Sequence, residues 1–327
     1  MHLTRPIVAA QILATLACTT AFAQDGDPIT VNAIETVNYL GGPLPEDQSA
    51  LAVKLQVLLD RADISPGVID GFGGGMTVSA LRAFEFREQL PVDGVLDGVV
   101  WDALGGKQAT GILGQHTISA EDVAEVTGPL PRDYSELAQL KLLGYSSAAE
   151  ALAERFHMDE QFLRLLNPSS SFTQGDTIFV TKPRARATGR VTSILIDKPN
   201  QRLLATDAEG RIVANYPVAV ASAQTPSPSG LHEVRAIAIE PNYTYNPDNF
   251  QQGDNNEILT LPPGPNGPVG AVWIDLTEPS YGIHGTPEPA SLFTAQSHGC
   301  VRMTNWDAAE LANMVDPGTT VQFWDGN

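Results

Sequence analysis

A cysteine and two histidines lie close together near the carboxyl end of the chain, in the sequence YGIHGTPEPASLFTAQSHGCVR. Cys300 follows directly on His298 and Gly299, and His284 lies upstream of them. A free thiol has a pKa near ~8.5, so it is mostly protonated at neutral pH and needs a base to become a nucleophile. Histidine, with an ordinary pKa near ~6.5, is the usual base. The segment therefore predicts nucleophilic thiol chemistry of the acyl-transfer type.

Two histidines compete for the role of the base. His298 shares a short segment with Cys300, so the local backbone fixes its position relative to the sulfur. His284 belongs to a different segment, and the fold can place it against the thiol. We therefore predict that His284 is the base. Gly299 carries no side chain, so the backbone N–H groups of residues 299 and 300 can be presented to a developing oxyanion.

Three other interpretations of these residues stay open at this stage. The first is that Cys300 is a buried thiol with a packing role. The second is that His284, His298 and Cys300 are zinc ligands, although no fourth ligand is evident. The third is that His298 is packed and hydrogen-bonded without a chemical role, even in a catalytic site.

The amino terminus has the layout of a secretory signal. In MHLTRPIVAAQILATLACTTAFAQ, Arg5 precedes an apolar run, and the small-x-small sequence AFA ends at Ala23. The run is too short to span a bilayer, so residues 1–23 are predicted to be a cleavable signal peptide. Cleavage removes Cys18, which leaves Cys300 as the only cysteine and excludes an internal disulfide. No later segment is apolar enough for a membrane helix.

Length and charge set limits on the organisation and the partners. At 327 residues the chain fits two or three domains, and its 43% hydrophobic content can build their cores. The 19 basic residues against 38 acidic ones give a net charge of −19. Nucleic acids and anionic membrane surfaces are bound through clusters of Lys and Arg. Neither is therefore expected as a partner.

Changes in composition along the chain predict an α+β protein of several domains. Residues 24–46, rich in Asp, Gly, Pro and Asn, are predicted to be a linker. Residues 47–106 carry helical stripes, as in LAVKLQVLLDRA, separated by Asp-Gly turns that form a weak internal repeat. Residues 107–188 begin with glycine-rich loops. From 189 to 327, short β-branched and apolar runs such as VTSILID and TTVQFW predict a mostly β domain.

The segment 47–106 resembles the peptidoglycan-binding domain of type 1, a small three-helix bundle. The resemblance rests on Leu55, Gln56, Asp70, Gly71, Gly74, Thr77, Ala80, Leu81, Phe84, Asp93, Gly94, Trp101 and Leu104. It implies a module that binds the cell wall. A plain helical spacer is the alternative, because helix-and-turn patterns are common.

A second glycan-binding module is predicted over about 145–182. Two helical stripes end at Asn167-Pro168, and the run DTIFV that follows is typical of a strand. This order resembles a LysM module, with the remainder of 107–188 as a linker. The opening strand of such a module is not evident in the sequence.

The sequence SHGCVR at 297–302, with HG at 284–285, resembles the catalytic motif of the L,D-transpeptidase, or YkuD, family. The segments PSPSG at 226–230 and GPNGPVG at 264–270 agree with the family as well. The resemblance covers about residues 189–325. It implies a catalytic domain built as a β sandwich.

The resemblance also implies the roles of the residues in the motif. Cys300 is the nucleophile and His284 is the general base. The carbonyl of Gly285 orients the imidazole, and the amides of Gly299 and Cys300 line the oxyanion hole. His298 is assigned an orienting role at the same site.

Further residues are expected to contact the substrate. Arg302 is expected to hold the active-site loop or a substrate carboxylate, with a structural ion pair as the alternative. Trp273 and Tyr281 are expected to line the substrate site. The resemblance implies neither a metal nor an organic cofactor.

Taken together, these features predict a periplasmic L,D-transpeptidase. Its donor is expected to be a peptidoglycan tetrapeptide stem, its acceptor an amine, and its inhibitors carbapenems. The alternatives are a cysteine hydrolase on the same fold and a wall-binding protein with an inactive domain. Because every chemically suggestive residue follows Arg190, a fragment starting near Arg186 is predicted to keep carbapenem acylation and to lose binding to the wall.

Overall fold

A computed structural model describes residues 29–220, 227–249, 251–294 and 299–326. The predicted signal peptide and His298 lie outside these residues. Within the described part of the chain, no helix is long and apolar enough to cross a membrane.

Four helices form the first part of the described chain. They are α1 (Val31–Thr36), α2 (Ala50–Arg61), α3 (Gly75–Arg87) and α4 (Gly98–Ala103). Side-chain caps fix where α2 and α4 begin: Ser49 Oγ accepts from Ala52 N at 3.2 Å, and Asp97 Oδ1 accepts from Val100 N at 2.8 Å. The linker prediction for 24–46 does not hold over α1, because its Ile34 is fully buried in the core.

The two Asp-Gly turns of this region are fixed in the same way. Gly71 and Gly94 have φ angles of 82° and 75°, in the left-handed region that glycine adopts without strain. Gln56 Oε1 on α2 accepts from Gly71 N at 2.8 Å, and Glu85 Oε2 on α3 accepts from Gly94 N at 2.8 Å. One buried polar side chain of the preceding helix thus holds each turn, which accounts for the internal repeat in the sequence.

The middle of the chain contains β1 (Leu113–Thr117), α5 (Tyr134–Leu137), α6 (Ala148–Arg155), α7 (Glu160–Leu166) and β2 (Thr177–Thr181). Strands β1 and β2 pair antiparallel. The prediction of a linker ahead of residue 145 does not hold over β1, the opening strand that the sequence did not reveal. Its sequence, LGQHT, is mostly polar and has a single buried residue, so it lacks the usual strand signal. Apart from the short α5, the order strand, helix, helix, strand is compatible with a LysM module, which stays a prediction.

The helical region and the middle region share one hydrophobic core. Buried side chains of both belong to the same cluster, including Ile34 of α1, Leu55 of α2, Leu152 of α6 and Ile178 of β2. We refer to residues 29–182 as the amino-terminal body. Its helical part and its middle part therefore pack against each other and are not separate modules on a flexible linker.

The remaining elements form the β domain. They are β3 (Ser193–Asp197), β4 (Arg202–Thr206), β5 (Ile212–Pro217), β6 (Gly230–Ile239), β7 (Tyr243–Tyr245), β8 (Leu259–Leu261), β9 (Val272–Leu276), β10 (Gly282–His284), β11 (Val301–Arg302), α8 (Asn305–Ala312) and β12 (Thr320–Trp324). Eight strands form one sheet in the order β11-β10-β9-β6-β12-β3-β4-β5, and β7 pairs with β8 in a separate hairpin.

The long strand β6 belongs to both halves of this sheet. Its first residues pair with β12 and its last residues with β9, with a register shift between Val234 and Ala236. Buried side chains of the two halves, such as Ile194 on β3 and Ile274 on β9, pack in one core with α8. The prediction of an α+β protein with a mostly β domain at its carboxyl end is confirmed.

Helix α8 joins the β domain to the rest of the molecule. Four of its side chains contact residues that precede the domain. The pairs are Asn305 with Glu154, Trp306 with His157, Asp307 with Ser65, and Glu310 with Arg184. Since α8 begins directly after β11, the segment that follows Cys300 is anchored on the amino-terminal body.

Candidate active site

His284 is the last residue of β10, and a carbonyl fixes the orientation of its ring. The Nδ1 atom lies 2.7 Å from the carbonyl oxygen of Gly285. A carbonyl can only accept a hydrogen bond, so Nδ1 carries the proton in the neutral ring. The other nitrogen, Nε2, is then free of a proton and can accept one. This is the hydrogen bond that the family resemblance implies.

The surroundings of His284 keep its ring neutral. Its exposed fraction is 6%, and Trp273 on the neighbouring strand β9 stacks against it with the ring centroids 5.5 Å apart. Burial lowers the pKa of His284 to about 4, with the positive charge of Arg302 contributing and the Gly285 hydrogen bond opposing. Trp273, predicted to line the substrate site, is therefore a direct neighbour of the imidazole.

The strand register places Cys300 on the same face as His284. Parallel pairing of β10 with β11 sets Ile283 opposite Val301 and His284 opposite Arg302. Ile283 and Val301 are buried in the core. Because side chains alternate along a strand, His284 points to the other face, and extending the alternation of β11 by one residue puts Cys300 on that face too. A strand spacing of about 4.8 Å and a rise of about 3.3 Å per residue put their Cα atoms about 8 Å apart, a separation that the two side chains can span.

The thiol of Cys300 is half-buried and surrounded by backbone. Its Sγ lies 3.8 Å from the carbonyl oxygen of Ser280. Burial raises the pKa of the Cys300 thiol, and a hydrogen bond from the Gly282 N–H offsets only part of that effect. At neutral pH the site therefore holds a protonated thiol together with a neutral imidazole. Such a pair requires the base to remove the thiol proton during the attack.

Gly299 holds a tight position next to the cysteine. Its φ angle is 124°, and a Cβ there would lie 2.8 Å from Cε1 of Tyr281. Its carbonyl accepts a hydrogen bond from Ser227 Oγ at 2.9 Å. Any larger residue would push against the tyrosine ring. Tyr281, predicted to contact the substrate, packs on the backbone of the segment predicted to supply the oxyanion hole.

A tyrosine that sequence analysis did not identify lies near the thiol. Burial raises the pKa of Tyr243 in strand β7 to about 12, and the nearby Tyr134 and Cys300 contribute to this shift. Tyr134 meets Tyr243 edge-on, with ring centroids 6.4 Å apart. Tyr134 belongs to α5, so the connection between β1 and α6 reaches the active-site region. No pattern in the sequence indicates this contact, because it joins segments far apart in the chain.

Arg302 is partly buried at the end of β11. Its backbone N–H donates to the carbonyl of Ala219 at 2.9 Å, and the N–H of Ala219 donates back to the carbonyl of Arg302 at 2.9 Å. Burial lowers the pKa of Arg302, and the carboxylate of Glu288 counteracts it. The structure therefore places one carboxylate of the 285–291 loop near the guanidinium, and both sequence-based interpretations of Arg302 are compatible with this.

No group of three or more His, Cys, Asp or Glu side chains able to hold a metal ion occurs among the described residues. His298, one of the three ligands in the zinc interpretation, lies outside the described residues.

Sequence comparisons identify two families in this chain. Residues 192–323 match YkuD, the L,D-transpeptidase catalytic domain, and residues 48–104 match PG_binding_1, a peptidoglycan binding domain. Both resemblances predicted from the motifs are thereby confirmed. The LysM-like interpretation of 145–182 stays a prediction.

Individual relatives agree with this assignment. A protein of Bacillus licheniformis named as an L,D-transpeptidase, YkuD, is 32% identical over 177 residues, which are 53% of this chain and 92% of that protein. A YkuD protein of Bacillus subtilis is 34% identical over 37% of this chain and 58% of its own length. The crystal structure of an L,D-transpeptidase from Xylanimonas cellulosilytica is 16% identical, covers 88% of this chain and 100% of its own, and has a TM-score of 0.38, too low to add to the assignment. On the sequence matches, this chain belongs to the YkuD family of L,D-transpeptidases.

Proposed function

We propose that this protein is a periplasmic L,D-transpeptidase that forms a thioester on Cys300 and passes the acyl group to an amine of the cell wall. The observation that carries the proposal is the 2.7 Å contact between His284 Nδ1 and the Gly285 carbonyl. It leaves Nε2 as the proton acceptor on the same face of the sheet as the thiol. Protonated thiol and neutral base are the reactants that general-base catalysis needs.

Acylation begins when Sγ of Cys300 attacks the carbonyl carbon of the diaminopimelate residue in a tetrapeptide stem. His284 Nε2 accepts the thiol proton as the carbon–sulfur bond forms. The amides of Gly299 and Cys300 stabilise the negative oxygen of the tetrahedral intermediate. When the intermediate collapses, the carbon–nitrogen bond breaks, and His284 returns the proton to the amine of the departing D-Ala. A thioester on Cys300 remains.

In the second half-reaction an amine of another stem attacks the thioester carbonyl. His284 accepts a proton from the attacking nitrogen, and the same amides stabilise the second oxyanion. Collapse breaks the carbon–sulfur bond, and the proton passes from His284 to the sulfur. The new amide is released, and the thiol of Cys300 is restored. If water replaces the amine, the same steps give hydrolysis.

The residues around Cys300 and His284 are given roles according to their positions. Trp273 and Tyr281 lie next to His284 and Gly299, where a bound stem would pass, and Arg302 supplies a positive charge for a substrate carboxylate. The domain at 48–104, with the LysM-like region, binds peptidoglycan and so raises the local concentration of donor and acceptor. The predicted signal peptide supports the periplasmic location, and the product would contribute to wall organisation and cell shape.

The test is incubation of the purified protein with sacculi rich in tetrapeptide stems, followed by mass spectrometry of the muropeptides. New cross-linked or exchanged stems are expected, together with a single carbapenem adduct on the intact protein. Cys300→Ala should give neither. Tripeptides without new amide links would identify a hydrolase instead. Turnover by the alanine variant would exclude the thioester mechanism.

A further inference from the structure

The hydrogen bond that orients His284 is supported by a side chain behind it. Gly285 lies against the side-chain amide of Asn305, the first residue of α8. A Cβ added to Gly285 or to Gly270 would overlap Oδ1 of Asn305. The amide oxygen is therefore wedged between the two glycines. Its position limits where the carbonyl of Gly285 can lie.

The amide of Asn305 is itself held from both ends. Its Oδ1 accepts from Ala271 N at 3.3 Å, and its Nδ2 donates to the carbonyl of Pro265 at 3.1 Å. Nδ2 also lies 3.1 Å from each carboxyl oxygen of Glu154. The carbonyl of Pro265 can only accept, so the amide has one orientation, with its oxygen toward Gly285. Glu154 supplies the side-chain partner of that amide.

Glu154 comes from outside the catalytic domain. It lies on α6 of the amino-terminal body, and its exposed fraction is 7%. Burial raises the pKa of Glu154 to about 8, with the negative charge of Glu150 contributing and hydrogen bonds with Asn305 and Tyr145 opposing. Burying a carboxyl group is costly unless its hydrogen bonds are satisfied. The partner of the Glu154 carboxyl is Asn305, which packs against Gly285, the residue whose carbonyl orients His284.

We propose that Glu154 is a positioning residue of the active site, which holds His284 in its reactive orientation through Asn305 and Gly285. The proposal rests on the assignment of His284 as the general base. It means that the amino-terminal body completes the catalytic site in addition to binding the wall. A displacement of about 1 Å at a catalytic group can cost about 10²-fold in rate, so a support of this kind is visible in kinetics.

The test compares variants of the full mature chain in carbapenem acylation of Cys300, followed by intact mass against drug concentration. Glu154→Ala removes both acceptors, and we expect the maximal acylation rate to fall about 10- to 100-fold. The drug concentration for half-maximal rate should change little, because the drug does not contact Glu154. Glu154→Gln keeps one acceptor and the shape, and should recover most of the rate.

Ser65→Ala is the matched control. It removes another contact between α8 and the amino-terminal body, the 2.8 Å hydrogen bond from Ser65 Oγ to Asp307 Oδ2, but does not touch Gly285. It should lower the melting temperature and leave the maximal rate unchanged. Should Glu154→Ala fail to fold, Glu154→Asp replaces it, because its shorter side chain withdraws the carboxyl from Asn305 while keeping a carboxyl group in the buried site.

The outcomes distinguish a failure of the proposed function from a failure of the role assigned to Glu154. Wild-type protein that takes no adduct overturns both the proposed function and this inference. Wild-type protein that reacts normally, with Glu154→Ala or Glu154→Asp reacting equally fast at temperatures where they are folded, overturns the inference alone. Equal rate losses in Ser65→Ala and the Glu154 variants also overturn it, since the effect would then be one of general docking.

Discussion

Among the residues that the structure describes, two histidines stack on tryptophans, in two different regions. His284 lies against Trp273 in the sheet, with ring centroids 5.5 Å apart and an interplanar angle of 21°. His157 lies against Trp306 where α8 meets the amino-terminal body, with ring centroids 5.2 Å apart and an angle of 10°. Stacking geometry therefore does not distinguish the two rings.

The partner of Nδ1 is what differs. In His284 it is the neutral carbonyl of Gly285, at 2.7 Å. In His157 it is the carboxylate of Asp60, at 3.1 Å. Burial raises the pKa of Asp60, but His157 and the nearby Arg184 outweigh it and hold that pKa below the ordinary value. The Asp60–His157 pair lies where residues that precede the β domain meet α8, whereas the carbonyl partner of His284 leaves a neutral ring that can act as a base.

The largest expected effects come from replacing each of the two histidines with alanine. His284→Ala should slow carbapenem acylation by about 10²–10⁴, the usual cost of losing a general base. Its melting temperature should stay within a few degrees of wild type. His157→Ala should do the reverse, with a lower melting temperature and nearly normal acylation. Both are measured as acylation rates and thermal unfolding. A rate loss of equal size in both variants would show that the partner of Nδ1 does not determine which histidine acts as the base.

The next effect concerns the carbonyl itself. Gly285→Ala introduces a Cβ that overlaps Oδ1 of Asn305, so the carbonyl must move away from His284. We expect acylation to slow by about 10- to 100-fold, as for other small displacements of catalytic groups. Gly98→Ala, where a Cβ would meet nothing within 4 Å, is the control and should react like wild type. Normal acylation by Gly285→Ala would mean that the orienting hydrogen bond is dispensable.

Much of the site can be predicted from the sequence because its chemistry is local. Cys300, Gly299 and the pair at 284–285 form short motifs, and the β-rich pattern that surrounds them identifies the domain. The supports behind them cannot be predicted in this way. Glu154 contacts Asn305 across 151 positions of the chain, a separation at which no spacing rule applies.

The same limit explains why the sequence predicts that a fragment starting near Arg186 keeps acylation. The motifs indicate wall binding for the residues before the β domain and catalysis for the domain itself. Nothing in these motifs shows that α8 is anchored on the residues that precede the domain. The structure predicts the opposite outcome. Removal of these residues would expose Trp306 and leave the buried carboxyl groups of Asp307 and Glu310 without Ser65 and Arg184. Such carboxyl groups are costly to leave without their partners.

The third prediction concerns pH. Burial lowers the pKa of His284 to about 4, so the ring stays neutral and able to accept a proton well below the ordinary pKa of histidine. Acylation should therefore persist down to about pH 4 and fall about tenfold per pH unit below it, because the protonated ring cannot act as a base. The measurement is the acylation rate against pH at saturating carbapenem, over the range in which circular dichroism shows folded protein. An inflection near 6.5 would indicate that the ring is exposed to solvent, or that another group is the base.

The smallest expected effect concerns the contacts between α8 and the amino-terminal body. It tests whether these contacts affect the stability of the protein and not its acylation rate. Burial raises the pKa of Asp307 to about 6, and the Ser65 hydrogen bond is one of the interactions that lower it. Removing that donor in Ser65→Ala should cost about 1–3 kcal/mol in the free energy of unfolding, as for other buried groups that lose a partner. The donor stabilises the charged carboxylate, so its loss raises the pKa of Asp307 further. The cost should therefore be larger at pH 8, where wild-type Asp307 is ionised, than at pH 5.

Ser79→Ala provides the comparison for this last prediction. Ser79 Oγ also connects the amino-terminal body to the β domain, but it donates to the neutral carbonyl of Asn200 at 2.9 Å. Its loss should cost less and should not depend on pH between 5 and 8, because no carboxylate is involved. Both variants should acylate at the wild-type rate. Chemical unfolding at the two pH values measures the difference. A pH-independent cost in Ser65→Ala would mean that Asp307 does not change its charge between pH 5 and pH 8 in the folded protein, and a slower acylation would place Asp307 among the supports of the active site.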